Sequence, residues 1–178
     1  MTNYVFIATS LDGYIATVDG GIDWLYAFPN TDETDYGYAE FMEGIDAVVM
    51  GRVTFEQVLT FGDWPYHKPV FVLSRLLAEL PRRLPKQVEI ISGTPNDLNL
   101  RLAQRGLQNL YIDGGQTITS FLREDLVDEM IITKIPILLG RGIPLFGNFA
   151  DSLRFVHNKT EVYSNSLVKS HYIRETRI

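Results

Sequence analysis

Cysteine is missing from all 178 residues, which removes disulfide scaffolds, thiolate zinc sites, iron–sulfur ligation and cysteine nucleophiles from consideration. Histidine is sparse: His67, His157 and His171 are scattered with no ligand spacing, so no metal site is expected. Positive charge is in deficit, the formal net charge being -6, and an acidic domain is a poor match for nucleic acid or an anionic membrane surface. No apolar run reaches the roughly 18 residues of a membrane span. No basic stretch precedes Tyr4-Val5, so the start reads as a first strand rather than a signal peptide. Neither a Walker loop, nor a G-x-S-x-G elbow, nor a strand-following G-x-G-x-x-G occurs. Gly140-Arg141-Gly142 comes nearest, but Ile143-Pro144 follows it and no helical stretch does. Repeats, low-complexity tracts and linkers are also lacking, so a single domain over 1–178 is expected, while the missing cysteine makes a cytoplasmic location the expectation.

What is present is a 46% hydrophobic, 12% aromatic chain built of short apolar runs and helical spacings. Tyr4–Thr9, Ala47–Met50, Val70–Ser74, Val88–Ser92, Leu110–Asp113 and Asp128–Thr133 read as buried strands of a largely parallel sheet. Thr34–Glu43, Val53–Leu59, Asp97–Gln104 and Thr117–Arg123 carry helical periodicity between them. Arg154–Val162 and Ser166–Arg174 alternate with period two around Tyr163-Ser164-Asn165, the pattern of a closing antiparallel hairpin. The alternation predicts an α/β layer fold, a mixed, mostly parallel sheet of about eight strands with about four helices. Two long connections, Ser10 to about Asn30 and Thr60 to Pro69, have the length of loops that cover a site or pack on their own Trp24 and Trp64.

Two strand-to-helix turns stand out. Val48-Val49-Met50-Gly51-Arg52-Val53-Thr54 and Leu110-Tyr111-Ile112-Asp113-Gly114-Gly115-Gln116-Thr117 each put glycine where a strand ends and a helix begins. Glycine allows close backbone approach, and a helix start offers unpaired N–H groups to an anion, so the pair suits one pyrophosphate. Glycine also serves such turns without any ligand. Arg52 at a helix start opposes the helix dipole and gains nothing structurally, which favours an anionic ligand. Arg75, after Val70–Ser74, with Ser74 suits a second phosphate or is a solvated charge. Asp32, Glu33 and Asp35 either complement a helix dipole or include an acid that, held in an apolar pocket, has its pKa raised and moves a proton.

With these residues in view, the chain resembles the dihydrofolate reductase-like fold, a three-layer α/β architecture, and within it the stand-alone branch of the riboflavin-biosynthesis reductase family. The resemblance rests on Ala8-Thr9-Ser10-Leu11-Asp12-Gly13-Tyr14-Ile15-Ala16, Asp46 to Glu56, Val72-Leu73-Ser74-Arg75, Tyr111 to Gly115 and Ile135 to Phe146, in family order. It implies NADPH-dependent hydride transfer to a small heterocycle, either pteridine-like or like the phosphate-bearing ribosylaminouracil of the riboflavin pathway. A nucleotide-binding module without turnover is the alternative.

The resemblance implies a nicotinamide against Ala8, Thr9 and Ile15. It assigns the cofactor phosphates to Gly51, Arg52, Thr54, Ser74 and Arg75, opposite Gly114, Gly115, Gln116 and Thr117. It further implies a first-loop lid with Trp24 near the substrate, Asp35 as the acid with Thr133 beside it, and a homodimer; the apolar Ile135–Leu139 run suits either such a contact or core packing. Two departures bear on substrate. Tyr14 stands where riboflavin-pathway reductases have a lysine, and Asp113 where they have a glutamate.

Overall fold

The computed structural model describes residues 1–175; residues 176–178 of the expected domain lie outside them. Along the chain run β1 (Thr2–Ser10), β2 (Tyr14–Ala16), α1 (Tyr38–Glu43), β3 (Ala47–Gly51), α2 (Arg52–Val58), β4 (Val70–Leu73), β5 (Val88–Ile91) and α3 (Pro95–Gln104). There follow β6 (Asn109–Asp113), α4 (Gly115–Arg123), β7 (Glu129–Ile135), β8 (Ile143–Pro144), β9 (Phe155–Val162) and β10 (Val168–Arg174). Eight strands form one sheet in the order β5-β4-β3-β6-β1-β7-β10-β9. The first six are mutually parallel; β10 runs against β7, and β9 against β10.

The centre of the sheet is apolar on both faces, as parallel strands between two helical layers require. On one face Val48, Met50, Val70 and Val72 pack with Phe55 and Val58 of α2, and Phe41 and Met42 of α1 join them. On the other, Val5, Val49, Phe71 and Ile112 meet Leu98 and Leu102 of α3 and Ile118 and Phe121 of α4. The start of α3 is fixed by a capping box: Thr94 accepts from the Asp97 amide while Asp97 accepts from the Thr94 amide, with proline in the first turn, an arrangement that satisfies otherwise orphaned donors.

Two expectations need correction. The helix expected from Thr34 begins only at Tyr38, because Tyr36 (φ 56) and Gly37 (φ 80) are left-handed and no right-handed helix passes through them. The first long loop is not a free lid. Its β2 pairs with β8, Leu11 donates to the Ile137 carbonyl, Leu145 donates to the Gly13 carbonyl, and Asp12 accepts from the Leu139 and Gly140 amides. The second long loop takes the packed alternative and needs no correction, with its Trp64 edge-on to its own Tyr66 and to Phe55 of α2.

Candidate functional site

The sheet opens at its middle. Pairing between β1 and β6 stops at Tyr4–Tyr111, although β1 continues to Ser10 along β7 and β6 continues to Asp113 along β3. The resulting wedge lies at the carboxyl ends of the parallel strands, where open α/β sheets take their ligands. The Tyr111 hydroxyl donates to the Phe6 carbonyl at 2.9 Å, so Phe6 turns its backbone polar groups toward β6. Strand alternation turns those of Ala8 the same way, into the wedge. The same alternation places Thr9 on the opposite face, where it is buried at 1% exposure; Ala8 and Thr9 therefore do not present their side chains to one ligand.

Beside the wedge the two glycine turns meet each other. A Cβ on Gly114 (φ +89) would stand 2.1 Å from Thr54 Oγ1, and one on Gly51 would stand 2.8 Å from Thr117 Oγ1. A Cβ on Gly115 would stand 2.8 Å from Ile15 Cδ1 and 3.2 Å from the Pro144 carbonyl oxygen. These glycines let the starts of α2 and α4 and the β2–β8 pair converge on one spot. The first intrahelical bond of α4 runs from Ile118 to the Gly114 carbonyl, so the Gly115, Gln116 and Thr117 amides precede it and are the natural donors to an anion. This meeting of two glycine turns forms a cradle whose amides are the groups that would hold a pyrophosphate.

At the outer end, Arg52 does have a structural partner, contrary to expectation: its Nη1 donates to both Glu56 carboxylate oxygens at 2.7 and 2.9 Å. An exposed i,i+4 pair of this kind is worth only a few tenths of a kcal/mol, so it exchanges readily for a ligand phosphate. Ser74 Oγ accepts from the Leu76 and Leu77 amides, which fixes the turn that carries the exposed Arg75.

On the α1 side the wedge leads into a hollow of about 410 Å³ lined mainly by aromatic and aliphatic side chains, with Asp35 and Thr133 among them. Thr133 is opposite Ala8 in the β1–β7 register. Trp24 is buried beneath, packed with Ile135 and Leu167, and its indole Nε1 has no partner among the described residues. Asp35 does not show the raised pKa expected of an acid in an apolar pocket. Its carboxylate accepts from the Ala39 amide at 2.7 Å and the Gly37 amide at 2.9 Å, and these bonds hold its pKa below the usual carboxylate range. The pair of bonds caps α1 from outside the helix, which is why the sequence offers both an aspartate and a glycine there.

The perturbed acid is instead Asp113, at the end of β6 across the wedge. Burial pushes its pKa up to about 6 against the opposing pull of the Gly114 amide, which donates to it at 2.8 Å. The Tyr111 and Tyr66 hydroxyls lie beside it. Tyr38, which lines the hollow, feels the Asp113 charge as well as burial, and its pKa rises to about 12. Sequence reading singled out Asp113 but not its tyrosines, which come from α1, the second long loop and β6 and meet only in the fold.

The sequence model of the RibD C-terminal domain family matches residues 3–169. The uncharacterized protein YwjB of Bacillus subtilis (strain 168) is 36% identical over 173 residues, spanning 96% of either chain. A crystal structure from Shewanella sp. PV-4, assigned provisionally to riboflavin biosynthesis, has 50% identity and a TM-score of 0.95, covering 99% of this chain and 100% of that one. Dihydrofolate reductase from Enterococcus faecalis, complexed with NADP(H) and RAB-propyl, superposes with a TM-score of 0.67 at 17% identity over 98% of this chain and 97% of that one. That last likeness is one of fold.

Proposed function

The chain belongs to the RibD C-terminal domain family, and from that premise we propose that it is an NADPH-dependent reductase delivering hydride to a carbon of a small heterocycle. The observation that carries this reading is the wedge between β1 and β6, where pairing stops beside the glycine turns and Phe6 and Ala8 of β1 line the aromatic hollow. The cofactor, when bound, supplies the hydride.

The chain's own residues hold and orient it. The Gly114–Thr117 turn and Gly51 with Thr54 receive the pyrophosphate on backbone amides. Arg52, Ser74 and Arg75 take the 2′-phosphate. Ala8 offers backbone donor and acceptor to the carboxamide, and Ile15 closes over the ring. Thr9 drops out of this contact set because its side chain lies on the far face. Placing donor and acceptor carbons together in a cleft lined by apolar groups lowers the barrier through orientation and exclusion of water.

Asp113 holds the proton that the reduced substrate needs, since a carboxyl group with a pKa near 6 is still partly protonated close to neutral pH. Asp35, ionised, and Thr133 receive ring N–H groups. Fluorescence titration with NADPH tests the cofactor assignment: saturable micromolar binding is expected, and its absence overturns the reading. Turnover is tested by NADPH oxidation with pteridine and aminouracil substrates, against an Asp113→Asn control. The homodimer belongs to the same proposal, with light scattering as its check. Of the Ile135–Leu139 run, Ile135 is core and Leu138, 69% exposed, is the residue available to a partner.

A further inference from the structure

A second hollow, of about 400 Å³, lies on the other face of β1 and β7 from the aromatic one. Met130, Ile132, Leu145, Leu153 and Phe155 make its walls largely apolar, and its volume is that of a small-molecule site. Within these walls two polar side chains stand together. Thr9 of β1 and Lys134 of β7 are opposite each other in the parallel register, so their side chains leave the same face one strand spacing, about 4.8 Å, apart. No aspartate or glutamate is among the described residues that line the hollow.

Neither of the two is fully satisfied by the protein. Thr9 Oγ1 is buried without a hydrogen-bond partner among the described residues, a state that folded proteins rarely leave uncompensated. The Lys134 ammonium donates to the Ser10 carbonyl at 3.3 Å and pairs with no carboxylate among the described residues. An ammonium carries three donors, so Lys134 has donors left for a ligand. The Ser170 hydroxyl, also in the lining, is by contrast engaged with Thr160 at 2.9 Å.

We infer that this hollow is a binding site for a small monocarboxylate with an apolar body, its carboxylate held between the Thr9 hydroxyl and the Lys134 ammonium. The hydroxyl donates to one oxygen and the ammonium to the other, while the apolar body displaces water from the aliphatic and aromatic walls. Water alone would serve the two polar groups but leave those walls wetted. A phosphate dianion would bring two charges to a single cation and bury its remaining oxygens against apolar groups. The site stands whether or not the wedge binds a reductase's cofactor, since Thr9 and Ala8 line hollows on opposite faces of β1.

Calorimetric titration of the full chain with 3-phenylpropionate and with its neutral amide, each with and without saturating NADPH, tests the assignment. The acid is expected to bind about tenfold tighter than the amide, the difference that a charge-assisted hydrogen bond makes. Lys134→Met keeps most of the apolar stem and removes the charge, and is expected to bring the acid down to the amide's affinity while leaving the amide little changed. Thr9→Val keeps the shape and removes the hydroxyl, and is expected to weaken the acid severalfold in a protein at least as stable as the parent. Equal binding of acid and amide by the parent, an acid affinity unchanged in either variant, or complete displacement of the acid by NADPH overturns the inference. So does the absence of saturable binding at millimolar acid, the result that a second copy of the chain seated on the hollow would give.

Discussion

Replacing Gly114 by alanine perturbs the cradle at its tightest point. Two costs arise. The backbone there has φ 89 and ψ 134, close to a region nearly reserved for glycine, and holding alanine in it costs about 1–3 kcal/mol. The new Cβ would also lie 2.1 Å from Thr54 Oγ1 and 3.2 Å from Thr54 Cβ. Relieving that overlap means moving α2 relative to α4, a packing strain of about 1–3 kcal/mol. The sum, about 2–6 kcal/mol, is a large part of the roughly 5–15 kcal/mol that holds a typical domain together. Urea titration measures it as a lowered midpoint at unchanged slope. The two costs separate in a double-mutant cycle, because Thr54→Ala removes the hydroxyl overlap and leaves the backbone strain. We expect Gly114→Ala with Thr54→Ala to recover about 1–2 kcal/mol relative to the sum of the single variants. A Gly114→Ala loss below about 1 kcal/mol, or a cycle with no coupling, would refute the close-contact account of this glycine.

Other expectations concern charge. Asp113 has a folded pKa of about 6, above the roughly 3.9 of an unfolded aspartate, so the folded state binds more protons between those values and stability falls as pH rises through them. Asp113→Asn is therefore expected to gain stability relative to the parent as pH rises from about 4 to above 6, while losing turnover; a pH-independent difference in denaturation midpoint would contradict the burial of this charge. Glu161 has the opposite sign: hydrogen bonds from Lys159 and Lys169 pull its pKa down to about 2, so its contribution is present above the unfolded value and lost as pH falls toward 2. In Glu161→Gln the acid limb of the stability curve should be shallower, and an unchanged limb counts against the pairing. Arg75→Glu is expected to weaken NADPH far more than NADH in parallel fluorescence titrations; equal losses would remove Arg75 from the 2′-phosphate site.

Much of the fold is legible in the residues because its elements are locally consistent. Val48-Val49-Met50 and Val70–Val72 are apolar without interruption, as strands covered on both faces must be, and Thr94 with Asp97 announces α3 by its capping chemistry. The start of α1 is hidden because Tyr36 adopts a left-handed conformation that its type does not favour. It is held there by Lys169 and Asn165 from a hairpin more than a hundred residues away in sequence. The small β2–β8 pair escapes notice for a similar reason, since two strands of three and two residues carry no periodicity to read. The glycine turns are visible in sequence because glycine is the only residue that fits them. The acid is not, because Asp35 and Asp113 differ in what surrounds them: backbone amides quench one, and burial perturbs the other.

The seam where β1 parts from β6 divides the sheet into two groups of four strands, stitched along that line by pairing at only three positions. Anything lodged there behaves as a rivet between the halves, and its presence should register in the heat resistance of the whole molecule. A ligand at a hundred times its dissociation constant adds about 2.7 kcal/mol to the folded state. Melting curves over a collection of ring compounds, with and without NADPH, can thus search for the natural substrate before any reaction has been observed.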